Sequence, residues 1–191
     1  VNLGLSNEAN LTINNCTAPN MKSILNSSNG VLSINDSTVT VSDSIVNNGK
    51  ITVDGCKTFN TDKITNDTAG LIIINDSTVT ATYINNDSST TEFEFNNVSA
   101  NFIRTNNNGT LKINDSSVTG TGHIYNTSTL TINNSNINLT STDGTHILQS
   151  IGKLSINGGE FNLKSTQGGY CLSEKGSLSI NGGTFNFEHA G

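Results

Sequence analysis

The chain has 191 residues, of which only 13% are charged and 32 are Asn, with one Pro and no Trp. Its net charge of −6 and single arginine, Arg104, leave no basic stripe to neutralise phosphates, which excludes a nucleic-acid binder and disfavours electrostatic attachment to a membrane. No run approaches the roughly 18 apolar residues of a spanning helix, so no direct membrane insertion is expected.

The first predicted coil contains Leu11-Thr12-Ile13-Asn14, and the pattern returns in chain order at Leu32-Ser33-Ile34-Asn35, Ile51-Thr52-Val53-Asp54, Ile72-Ile73-Ile74-Asn75 and Phe93-Glu94-Phe95-Asn96. It continues at Leu111-Lys112-Ile113-Asn114, Leu130-Thr131-Ile132-Asn133, Leu154-Ser155-Ile156-Asn157 and Leu178-Ser179-Ile180-Asn181. The second apolar residues stand at 13, 34, 53, 74, 95, 113, 132, 156 and 180, so the intervals are 21, 19, 21, 21, 18, 19, 24 and 24. A repeat of this size predicts a solenoid, in which each unit buries its core against its neighbours. Regular spacing of this kind also argues against disorder, which low charge and few aromatics would otherwise suggest.

The coil from Leu32 carries the logic. Leu32 and Ile34 alternate with Ser33 as a strand with one buried face. Asn35-Asp36-Ser37 breaks the run with residues that bond their own backbone and tolerate left-handed geometry. Thr38-Val39-Thr40-Val41 reads as a second strand, Ser42-Asp43-Ser44 as a turn, Ile45-Val46 as a short third strand, and Asn47-Asn48-Gly49-Lys50 as the return. The inward residues of the second strand form one column of Val39, Val79, Val118, Ile137, Phe161 and Phe185 and another of Val41, Ala81, Phe102, Leu139, Leu163 and Phe187. The third strand is expected to supply Ile24, Ile45, Ile64, Ile84, Ile103, Ile124, Ile147 and Leu172. Gly30, Gly49, Gly70, Gly109, Gly152 and Gly176 fall two residues before the first strand, where a sharp bend with positive φ is expected.

The residue after each anchor is Asn14, Asn35, Asp54, Asn75, Asn96, Asn114, Asn133, Asn157 or Asn181. Amides stacked every ~4.8 Å can donate to one neighbour and accept from the other, so these residues are expected to form an inward ladder at a left-handed corner. Coils of this length with three short strands and an Asn ladder resemble the right-handed parallel β-helix of the pectate-lyase-like superfamily. The Leu-Ser-Ile-Asn-Gly-Gly-x-Phe-Asn copies at 154–162 and 178–186 resemble adhesin-like surface repeats of AT-rich bacteria and methanogenic archaea. The resemblance implies an all-β, right-handed parallel β-helix of about nine coils, 18–24 residues each, as a single domain over 1–191. The start at Val1 and the lack of a cap after Phe187 lead to the expectation of a segment of a longer surface protein, or of a subunit assembling end to end. Two late 24-residue coils with Phe in place of Val are expected to widen the cross-section.

Candidate chemistry is sparse. Cys16 and Cys56 share a column with Ser37, Ser77, Ser116, Ser135, Gly159 and Gly183, expected to be a tight inward slot holding inert thiols. They lie two coils and ~9–10 Å apart, too far for a disulfide. Asp36, Asp76 and Asp115 share one position but never occupy adjacent coils, and turn chemistry accounts for them, so no catalytic residue is assigned. No His has metal-ligand spacing to a suitable partner, so neither metal nor cofactor is expected. Among thirteen Asn-x-Ser/Thr sequons, Asn26, Asn66, Asn86, Asn108 and Asn126 are expected in loops that could carry glycans. Tyr83, Tyr125, Tyr170, His123 and His146 fall on or beside the third strand, where aromatic stacking suits a glycan or a protein edge. Thr38-x-Thr40 and Thr78-x-Thr80 suggest an ice-binding array, which Lys57 and Phe59 are expected to interrupt and which Asn136, Asn138, Glu160 and Asn162 replace in later coils.

The expected function is therefore a non-enzymatic, extracellular, cell-surface rod. Its expected partners are a surface glycan, a protein receptor, or further copies of itself. Alternatives are a carbohydrate-active or carbohydrate-binding module of the same fold, and an ice-binding protein.

Overall fold

The computed structural model describes residues 3–190. The described residues form an all-β parallel solenoid of about nine turns, with no helix. Strands pair in parallel with their equivalents one coil before and after, and those of the first and last coils on one side only. Ile13 faces Ile34, which faces Val53, then Ile74, Phe95, Ile113, Ile132, Ile156 and Ile180 in unbroken register. Ile34, Val53, Ile74, Ile113, Ile132 and Ile156 are fully buried, whereas Ile180, with a neighbour on one side only, is 44% exposed. Burying an Ile side chain is worth about 1.5–3 kcal/mol, so this single column is a principal source of cohesion between coils.

Three inward faces are present, but they are not three separate strands throughout. In the second coil Thr38–Asn47 is one strand that carries both the second and third faces, and exposed Ser42 and Asp43 mark the bend. A register shift after Val41 absorbs that bend, a bulge rather than the turn that Ser42-Asp43-Ser44 suggests. Ser117–Gly120 and His123–Asn126 do separate. In the next two coils the first and second faces fuse as Thr129–Ser141 and Lys153–Ser165, and the third is Leu148–Ser150 or Leu172–Glu174. The extra residues of these long coils lie between the second and third faces. They add buried Ser141 and Ile147, then Ser165 and Cys171.

The first corner explains the Asn-Asp-Ser signature. The left-handed residue is the second after the anchor: Asn15, Asp36, Asp76, Asn97, Asp115 and Asn134 have φ between 46° and 55°, with Gly55 and Gly158 in the equivalent places. That is one residue later than the expected ladder position. The serine that follows turns inward. Ser37, Ser77, Ser116 and Ser135 donate to the carbonyls of Asn35, Asn75, Asn114 and Asn133 at 2.6–2.7 Å. Each accepts the backbone N–H of the coil before it, from Cys16, Cys56, Val98 and Ser116 at 2.9–3.1 Å. Buried corner groups are thereby satisfied without water.

Glycine at the third corner has a different cause from the one expected. Gly30, Gly49, Gly70, Gly109, Gly152 and Gly176 are absent from the positive-φ residues. A Cβ on Gly152 would lie 2.1 Å from the Ser128 carbonyl oxygen, and one on Gly176 2.0 Å from that of Gly152. Close stacking of backbone on backbone, not dihedral freedom, excludes a side chain there.

The inward Asn ladder is a second column, at the end of the third face. In the column Asn7, Asn26, Asn47, Asn66, Asn86, Asn107, Asn126, each of the first six donates Nδ2 to the next member's Oδ1 at 2.7–3.0 Å, and Asn126 donates to Ser150 Oγ at 3.0 Å. All from Asn26 to Asn126 are fully buried. Their Nδ2 groups also reach backbone carbonyls: Asn66 bonds Gly70 in its own coil and Glu92 in the next, both at 2.9 Å. The sequence-expected ladder exists too, but on the outer side of the first corner and partly exposed. Asn35 donates to Asn14, Asn96 to Asn75, Asn114 to Asn96, Asn133 to Asn114, Asn157 to Asn133 and Asn181 to Asn157. Asp54 interrupts it, with no side-chain bond to Asn35 or Asn75 among the described residues. The two ladders donate in opposite directions along the axis.

Candidate binding surfaces

The buried ladder corrects the glycosylation expectation. Asn26, Asn66, Asn86 and Asn126 are not loop residues: their amide nitrogens, which a glycan would occupy, point into the core and are fully bonded. Asn108 alone of the five stays half-buried on a turn, where its Oδ1 accepts from Thr127 Oγ1 at 2.7 Å.

The thiols are all free. Cys56 is buried, and burial raises its thiol pKa, which suits an inert side chain. Cys171 is buried as well, but Cys16 is exposed, contrary to the expected inward slot. It belongs to the first full coil, where coverage from the N-terminal side is thin.

An open groove of about 400 Å³ runs along the first corner over four coils, lined by Asp76, Asn97, Asp115 and Asn134 with Ser77, Ser99 and Ser117. Asn97 separates the two carboxylates and donates to Asp76 Oδ1 at 2.6 Å. No basic side chain is among the residues lining this groove.

The second face changes the reading of its threonines. Thr38 pairs with Thr58, Val39 with Phe59 and Thr40 with Asn60, so Phe59 points inward and is buried. The outward column then runs Thr17, Thr38, Thr58, Thr78, Ser99, Ser117, and the column beside it Thr40, Asn60, Thr80, Asn101, Thr119. The expected interruption at Lys57 and Phe59 does not exist. Lys57 is one residue inserted at the corner, since Phe59 is six residues after its anchor where Val39 is five.

The first face carries Lys112 bridging Glu92 and Glu94, an ion triplet across two coils. Its hydrogen bonds hold Glu92 below the usual carboxylate range and raise Lys112.

On the third face the inward column takes Thr105, not Ile103: Thr105 pairs with Ile84 and is buried, while Ile103 is 45% exposed. Leu148, not Ile147, pairs with Ile124, and Leu172 follows as expected. This register brings Lys63, Tyr83, Arg104 and His123 into one outward column on four consecutive coils. Beside it run Thr65, Asn85, Asn106 and Tyr125. Placing Ile103 inward moves Arg104 one pleat sideways, which hides the column from the sequence. His123 is half-buried, and burial together with the Arg104 charge lowers its pKa. Its Nδ1 lies 3.3 Å from Thr145 Oγ1, which also bonds Asp143. Those bonds hold the Asp143 carboxyl down at about 2. Tyr170 and His146 pack as a tilted pair farther along the axis, with ring centroids 5.1 Å apart.

Comparison with family models, with curated proteins and with solved structures returns no match for this chain.

Proposed function

We propose that the chain is a non-enzymatic extracellular rod of a prokaryotic surface protein, presenting polar faces for attachment or self-assembly. The observation that carries this reading is the unbroken parallel register from Ile13 to Ile180, with connections too short to build a deep cleft. A stack of this kind is a stiff spacer about 43 Å long at ~4.8 Å per coil. Its outer faces are rich in Asn, Thr and Ser, which hydrate well and leave no extended apolar side. Right-handed winding and kinship with pectate-lyase-like adhesins belong to this proposal. So does coverage of the last coil, whose Leu178, Ile180 and Phe187 are exposed, by further coils or a second copy.

The Thr and Ser column from Thr17 to Ser117 on the second face favours a second reading, ice binding, against which Asn60 and Asn101 alternate in the column beside it and Asn136 and Glu160 follow Ser117. Electron microscopy of the purified chain, a glycan array, polysaccharide-cleavage assays and a thermal-hysteresis measurement separate the readings. The rod reading expects short straight particles and saturable binding to a surface glycan or receptor, without turnover. Polysaccharide cleavage that survives removal of every contaminant, or marked thermal hysteresis, would overturn it.

A further inference from the structure

Among the described residues, ion pairs engage Lys112 with Glu92 and Glu94, and Lys164 with Glu188. Arg104 and Lys63 enter none, in a chain whose acids outnumber its bases fifteen to nine. An arginine carries five donors in a rigid fork and is weakly hydrated, which makes it the usual partner of a carboxylate. Arg104 instead lies between Tyr83 and His123 in the column, and its charge already disfavours a second positive charge on His123. The nearby acids do not neutralise the column. Asp62, the exposed residue before Lys63 at the bend of the same strand, forms no ion pair with it. Lys63 acts on Asp87 through space without an ion pair. Asp143, whose charge reaches His123, is tied to Ser141 and Thr145.

Geometry selects the ligand. Lys63 and Arg104 are two coils apart, ~9.6 Å along the axis, close to the length of a disaccharide. Between them Tyr83 is 39% exposed and offers an aromatic face on which a sugar ring can stack. Thr65, Asn85 and Asn106 flank the column, and Asn106 donates Nδ2 to Asn85 Oδ1 at 3.1 Å, leaving the Asn85 Nδ2 and Asn106 Oδ1 for sugar hydroxyls.

We propose that the Lys63–Tyr83–Arg104–His123 column binds a linear polysaccharide lying along the rod axis and bearing a carboxylate on every second sugar. One carboxylate sits at Lys63 and the next at Arg104 and His123, with the intervening neutral sugar on Tyr83. The site rests on the attachment reading above and gives it a chemical class.

The test uses the full chain and a hyaluronan decasaccharide, which has that alternation, in calorimetric titration at low and physiological salt. A polygalacturonate fragment, with a carboxylate on every sugar, and hyaluronan with its carboxyls reduced to alcohols serve as comparisons. The expected result is saturable binding, lost at least tenfold with reduced hyaluronan and weaker with polygalacturonate. Arg104→Gln and Tyr83→Ala should each weaken binding at least tenfold, while Lys164→Gln on another face leaves it unchanged. Binding should tighten as pH falls and His123 becomes charged beside the carboxylate, and His123→Gln should remove that trend. Should Arg104→Gln unfold the chain, Lys63→Gln and amide shifts mapped on the wild type decide in its place. No binding of any carboxylated polymer, equal binding by Arg104→Gln, or an equal loss with Lys164→Gln would overturn the proposal. Binding of a different glycan on the array, with hyaluronan inert, sinks this site and leaves the attachment reading standing.

Discussion

Thr105 shows how a single side chain departs from an otherwise consistent column. Its neighbours above and below are Ile84 and Ile124, and its hydroxyl is buried without a hydrogen-bond partner. A buried hydroxyl without a partner costs roughly 1–3 kcal/mol, and valine has the same shape without it. Thr105→Val is expected to stabilise the chain by about 1 kcal/mol, read as a higher urea midpoint at unchanged slope. A lower midpoint would mean that the hydroxyl holds a bond after all. The polar residue is also why the sequence misleads here, since Ile103, two positions earlier, looks like the better core residue.

The two amide ladders set the energetics at the scale of one coil. The outer one was legible because Asn follows an unmistakable apolar pair in eight coils of nine. The inner one was not, because Asn-Asn-Gly and Asn-Asp carry turn propensity, and that signal hides a period-two continuation from Ile45 to Asn47 or from Ile64 to Asn66. Tertiary stacking overrides the local preference. Asn66→Ala removes the acceptor of Asn47 and the donor to Asn86, Gly70 and Glu92 inside a dry core. A loss of about 3 kcal/mol or more is expected in denaturant unfolding, since several buried groups are stranded together. The outer ladder gives the opposite case. Asp54→Asn supplies a donor to Asn35 and an acceptor for Asn75, and is expected to add about 1 kcal/mol. A destabilised Asp54→Asn variant would mean that the break is structural rather than a gap in the ladder.

At the scale of the whole molecule the repeat is legible from nine anchors, and the surfaces are not. Faces follow from register, and register at the second face hinges on one inserted residue, Lys57, that the anchor spacing conceals. Period two then inverts each side chain that follows until the bulge restores it. That single slip decides whether the threonines form a continuous column, and a similar slip at Ile103 decides whether Arg104 joins Tyr83. The most direct measurement is disulfide trapping in a chain whose native cysteines are replaced. Thr38→Cys with Thr58→Cys places two Cα atoms ~4.8 Å apart on one outward column, within disulfide range. The stacked-coil account requires this pair to oxidise readily, and Thr38→Cys with Thr78→Cys, two coils and ~9.6 Å apart, to stay reduced. Bridging of the Thr78 pair with the Thr58 pair left free would contradict it.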